Sequence, residues 1–311
     1  MPTRSIVVAV IIVVCICSIA FGLGFGLTTS KGTNLDQANF NSTTPLSEVE
    51  LANYLLYTTK IPPEHQETLL DPSHPRNKAI NHILQITHGY LKLDATVLLM
   101  FHLLVFFYQS NGPYWTNTSG WYEYSPGLTP CNWHGIDCLS GNQTNIIGIR
   151  LPNNNVVGSL GNGLSAFDTL QILDFADNKL SGAFPHKWNR LEAVTYLDLS
   201  NNSFVGNIKG KGTIPLMTAL THLDLSSNAI QEQIWDELAL LTDLQLLNLS
   251  SNDFYGTLPP NFGGENMEIY VHDNPQLIGP LPVDICNGVE LLHLGCGIFE
   301  ENCTCCVCHS E

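Results

Sequence analysis

From residue 145 onward, short bursts of alternating aliphatic and polar residues recur along the chain. Ile149-x-Leu151-x-x-Asn154, Leu173-x-Phe175-x-x-Asn178, Leu197-x-Leu199-x-x-Asn202, Leu223-x-Leu225-x-x-Asn228, Leu247-x-Leu249-x-x-Asn252 and Ile269-x-Val271-x-x-Asn274 share one frame, with Asn-to-Asn intervals of 24, 24, 26, 24 and 22. Alternation at period two predicts a short strand that turns its aliphatic pair to one side. The Asn that follows turns the chain, and its amide can pair backbone groups of neighbouring coils that would otherwise be buried without partners. Val156, Leu180, Phe204, Ile230 and Phe254 carry the core past the turn. A single unit cannot bury its own apolar side, so the coils are stable only as a stack.

This frame and period predict an α/β fold, a leucine-rich-repeat right-handed solenoid of about six units over residues 145–284, with short parallel strands on its concave face. Residues 45–110 read differently. Ser47-Glu48-Val49-Glu50 matches a capping box, Pro75 with Ala79, Ile80, Ile83 and Leu84 opens a second helical pattern ending at Gly89, and Asp94 caps a third running to Gln109. The third is apolar on every side but too short for a membrane span, which predicts a helix buried at one end of the fold, with His102 as a hydrogen-bonded core histidine.

Ser5 to Leu27 is a run of 23 uncharged, mostly apolar residues, long enough as a helix to cross a bilayer. With Arg4 before it, the run predicts a transmembrane signal-anchor over 5–27, a cytosolic end at 1–4, a polar stalk at 28–44 and an external C-terminal part. Ser18, Gly22 and Gly26 share one face and offer a homodimer contact. The alternative is a signal peptide cleaved after Ser18-Ile19-Ala20, which gives a secreted protein.

Charge narrows the function. The 311 residues hold 12 Lys plus Arg against 28 Asp plus Glu, a net charge of −16 that excludes nucleic-acid binding. Residues 212–311 contain fourteen acids and no Lys or Arg, so the acidity belongs to the C-terminal third. Eight cysteines lie outside the apolar run, and an even number in an oxidising compartment favours disulfides. Six of them, Cys286, Cys296, Cys303, Cys305, Cys306 and Cys308, sit in the last segment, 285–311, read as a Cys-rich terminal cap. They allow fifteen pairings, and a thiolate metal site is the rival reading. Asn-x-Ser/Thr sequons at Asn41, Asn117, Asn142, Asn201 and Asn248 fit a secreted glycoprotein, with a sixth at Asn302 adjoining Cys303.

Gly158, Gly182, Gly206, Gly256 and Gly279, several followed by Pro-containing turns, make the repeats resemble the plant-type leucine-rich subclass. Trp115, Trp121 and the stretch Cys131-Asn132-Trp133 to Cys138 are similar to the N-terminal cap of plant-type extracellular repeat proteins, here residues 111–144. That resemblance implies a Cys131–Cys138 disulfide beneath packed tryptophans. Asp71-Pro72-Ser73-His74-Pro75 and Tyr108-Gln109-Ser110-Asn111-Gly112 look like the membrane-anchored repeat proteins of diatoms and related algae. The chain departs from the pattern where the fourth unit lacks its Gly, the third carries a two-residue insertion at 209–212, and the sixth is shortened.

The residue between the two strand aliphatics faces outward on the concave sheet. Read along the stack it is Arg150, Asp174, Asp198, Asp224, Asn248 and Tyr270, with Tyr196 and His222 in the adjacent column. Asp174, Asp198 and Asp224 form a ladder of like charge suited to a basic peptide or a bound cation, and Tyr196 and His222 add flat contact area. His222, Asp224 and His272 suggest acid sensitivity. The chain has no G-x-S-x-G, no H-E-x-x-H and no complete phosphate loop, so no catalytic, cofactor or resident metal site is expected and the protein is read as a non-enzyme. The expectation is a membrane-anchored, receptor-like recognition protein for a protein, peptide or glycan ligand. So short a tail would need a signalling co-receptor. The alternatives are a secreted inhibitor of a wall-degrading enzyme, or an adhesion or wall-structural protein.

Overall fold

A computed structural model describes residues 45–59, 61–90, 92–122, 129–206, 214–259, 267–282, 285, 289–295 and 305–309. The predicted span at 5–27, the stalk, and the sequons at Asn41 and Asn302 lie outside these. Among the described residues, no helix is long and apolar enough to cross a membrane.

Three helices open the described chain: α1 (Glu48–Thr59), α2 (Pro75–Thr87) and α3 (Ala95–Gln109). Each starts where the local chemistry places it. The Ser47 N–H donates to Glu50 Oε2 at 2.8 Å while the Glu50 N–H donates back to Ser47 Oγ at 3.3 Å. His74 caps α2 with Pro75 in its first turn, and Asp94 accepts from the Thr96 N–H at 2.9 Å to cap α3. The all-round apolar pattern of α3 is met on most of its sides: Leu103, Leu104 and Phe107 are fully buried. His102 is half-buried, edge-on to Phe101 and Phe167, and burial pushes its pKa down to about 4. Among the described residues its neighbours are rings, without the hydrogen-bond partner expected of it.

α3 ends on an aromatic cluster. Phe107 stacks on Trp121 at 5.2 Å and meets Trp115 edge-on at 4.9 Å, and Trp121 in turn leans on Trp133 at 4.8 Å. The indole N–H groups of Trp115 and Trp121 donate to the Ser110 and His134 carbonyls. At Gly112 the chain passes so close to this cluster that a Cβ would come 2.2 Å from the Phe107 ring. A disulfide joins Cys131 to Cys138 beside it.

Then the stack begins. One nine-stranded sheet runs β1 (Ile136–Cys138), β2 (Ile146–Arg150), β3 (Ile172–Asp174), β4 (Tyr196–Asp198), β5 (His222–Asp224), β6 (Leu246–Asn248), β7 (Met267–Tyr270), β8 (Val289–Gly295) and β9 (Cys306–His309), in that order. β1 lies antiparallel to β2, and every later pair is parallel. The aliphatic pairs Leu173/Phe175, Leu197/Leu199, Leu223/Leu225 and Leu247/Leu249 are all fully buried. Short second strands at Val157–Gly158, Lys179–Gly182 and Ser203–Phe204 pair on another side of the coil, and 3-10 turns such as Asn162–Ala166 and Asp236–Leu240 complete the circuits.

The frame asparagines bind coil to coil. Asn178 Nδ2 donates to the Leu151 carbonyl of the preceding coil at 2.8 Å, and its Oδ1 accepts from the Val156 N–H at 2.8 Å. Asn202, Asn228, Asn252 and Asn274 repeat this arrangement, reaching back to Phe175, Leu199, Leu225 and Leu249. The residue before each frame asparagine, from Asn153 through Asp177, Asn201, Ser227 and Ser251 to Asp273, sits in the left-handed region with φ between 49° and 56°.

The sheet also extends beyond the six units. β8 and β9 add two parallel strands within the segment expected to be a separate Cys-rich cap, and Cys305 and Cys306 are both disulfide-bonded.

Candidate functional site

The strand register assembles the predicted residues into two outward columns. Asp174, Asp198, Asp224, Asn248 and Tyr270 are successive partners across β3 to β7. Tyr196 and His222 are partners in the neighbouring column, their rings stacked 4.4 Å apart at 14°. All seven side chains are half-buried. Adjacent strands are about 4.8 Å apart, so the three aspartates stand close enough to repel one another.

Each acid also has a local duty, which explains why an aspartate suits the strand end. Asp198 Oδ1 accepts from the N–H and hydroxyl of Ser200, and Asp224 Oδ1 accepts the same pair from Ser226. Asp174 accepts the Ala176 N–H. Tyr196 Oη donates to Asp198 Oδ2 at 3.3 Å, and Asn248 Nδ2 donates to Asp224 Oδ2 at 3.0 Å. Burial raises the pKa of Asp174 and Asp224 above the usual carboxylate range; the Ala176 and Ser226 hydrogen bonds oppose it, and the charge of Asp198 adds to it. Burial and the surrounding aspartates push Tyr196 up to about 12.

Arg150 heads the first column, but its Nε donates to Asp137 at 2.8 Å, tying it to β1 of the cap. His272 meets Asp273 at 2.9 Å. Of the sequons, Asn142 and Asn201 are exposed and Asn117 is half-buried, whereas Asn248 is engaged on both amide atoms, by Asp224 and by Ser250. Asn201 borders a cleft of about 600 Å³ lined also by Asn153, Asn155, Asp177 and Lys179, on a different part of the coil.

The sequence reading ended the column too soon. His293 on β8 follows Tyr270 in register and stacks on it at 3.9 Å. Leu292-His293-Leu294 carries the aliphatic-x-aliphatic signal but no frame Asn after it, so the repeat count stopped before β8.

Residues 219–241 and 243–264 match the Leucine Rich Repeat family. The chain carries leucine-rich repeats. It is similar to receptor-like protein 41 of Arabidopsis thaliana, 31% identical over 43% of this chain and 15% of that protein. It is also similar to phytosulfokine receptor 1 of the same plant, 31% identical over 31% of this chain and 10% of that receptor. The leucine-rich-repeat chain therefore spans only a small part of the length of these relatives. Among solved structures it resembles a plant ice-binding protein, with a TM-score of 0.56 and 27% identity, over 62% of this chain and 61% of that one. The likeness to plant receptor-like proteins bears out that part of the resemblance read from the repeats.

Proposed function

We propose that this chain is a membrane-anchored extracellular recognition protein of receptor-like type, binding a protein, peptide or glycan ligand on the concave face of its repeats. The observation that carries this reading is the pair of outward columns: Asp174, Asp198, Asp224, Asn248 and Tyr270 beside the stacked Tyr196 and His222. Half-buried polar and aromatic side chains on a rigid sheet offer a preorganised surface, and three acids with little cationic counterpart give it a preference for positive ligands. Similarity to a phytosulfokine receptor supports a signalling ligand.

The test is binding of a basic peptide library and its neutral counterpart to the purified chain and to a form carrying Asp174→Asn, Asp198→Asn and Asp224→Asn. Loss of the basic binders alone supports the reading. Equal affinity of both forms for all ligands overturns it. A second reading, binding to ice crystals, is favoured by the likeness to the plant ice-binding protein. Freezing-point hysteresis of the unmodified chain, kept by the triple variant, would favour that reading.

A further inference from the structure

We propose that Asp198, His222 and Asp224 form a site for one divalent transition ion of the zinc class. Each of the three side chains offers one donor atom, and these atoms lie within 4.8 Å of one another. Two come from β5, where His222 and Asp224 are two residues apart and so share a face, and the third stands opposite Asp224 on β4. The imidazole sets this group apart from a row of acids. Calcium and magnesium take oxygen ligands, whereas one nitrogen with two carboxylate oxygens suits zinc and its neighbours. Zinc binds such donors at about 2.0–2.2 Å, so closing around an ion requires side-chain movements of roughly 1 Å and none of the strands.

Several independent contacts hold the donors ready. Stacking on Tyr196 fixes the plane of the His222 ring. Ser200 and Ser226 each clamp Oδ1 of their aspartate, and Oδ2 accepts from Tyr196 Oη in Asp198 and from Asn248 Nδ2 in Asp224, bonds that an ion would share or replace. Such outer contacts orient metal ligands. The electrostatics agree. Three acids stand in register, the nearby Arg150 is engaged by Asp137, and residues 212–311 supply no Lys or Arg, so a doubly positive ion would relieve the mutual repulsion of the ladder. Three protein donors leave a fourth position facing away from the sheet. A metal-loaded face would accept a carbonyl or carboxylate that the bare acids reject. The site goes beyond the recognition reading and does not depend on it.

The experiment is calorimetric titration of the full chain, freed of metal by chelator, with zinc chloride alone. One ion per chain is expected, with His222→Gln and Asp198→Asn each weakening it at least tenfold and Asp273→Asn leaving it unchanged. Wild-type affinity and stoichiometry in both site variants would overturn the proposal. If a variant fails to fold, cobalt(II) added to the unmodified chain gives the same decision by NMR. Paramagnetic shifts centred on residues 196–198 and 222–224 support the site, and shifts centred on any other histidine overturn it.

Discussion

Phe107 at the end of α3 and Leu223 in the middle of the sheet are both fully buried, yet they are held in different ways. Phe107 touches a set of partners that occurs once: Trp115, Trp121, Tyr122 and, across the cluster, His82. Leu223 sits between Leu197 and Leu247, which are copies of itself one coil away. The aromatic end depends on unlike shapes fitting together, and the stack depends on like shapes in register. An error at the first has no substitute nearby, whereas an error in the second is shared with neighbouring coils.

The largest effect should come from Phe107→Ala, which empties the centre of the cluster. A loss of about 4 kcal/mol is expected by chemical denaturation. A loss no larger than that of Leu223→Ala would erase the contrast.

Acid should strike the same end next. His82 is 3% exposed, stacked on Tyr122 at 5.0 Å with Nδ1 3.1 Å from Tyr108 Oη, and burial pushes its pKa down to about 4. The unfolded chain takes up a proton below the ordinary histidine value of 6.5 while the fold does not. Stability is therefore lost as pH falls from 6.5 toward 4, by roughly 3 kcal/mol for this group. His82→Phe should flatten that limb of the melting-temperature profile. Asp174 and Asp224 act in the opposite sense, since their raised values let the fold regain stability as pH drops toward 3.8.

In the stack, Asn252→Ala removes the acceptor of the Ile230 N–H and the donor to the Leu225 carbonyl, both buried. A cost of about 2 kcal/mol is expected in thermal unfolding. The smallest effect is that of Ser226→Ala, about 1 kcal/mol from the lost hydroxyl bond to Asp224. Its more telling readout is zinc affinity, which falls if Ser226 orients a ligand.

The same contrast explains what the sequence could announce. Repetition made the stack legible: six in-frame asparagines predicted the strand register and therefore both columns of the candidate site. Helix starts were legible from Ser47, Pro75 and Asp94, because capping and the fixed φ of proline are local chemistry, while the His74 cap was not read. The docking of α3 on Trp115 and Trp121 was not, since contacts between unlike residues far apart leave no period. His293 escaped because its strand lacks the frame Asn, and the convergence of the Asp198, His222 and Asp224 donors depends on rotamers set by Tyr196 and the serines.

β1 has one more consequence. A parallel sheet built by repetition could in principle be lengthened by a second molecule docking at its first strand, giving a filament. The chain folds back there, so the border strand runs the opposite way and is tethered by a disulfide at Cys138. A newcomer would meet reversed polarity in place of another copy of the template, and end-to-end polymerisation loses its starting point.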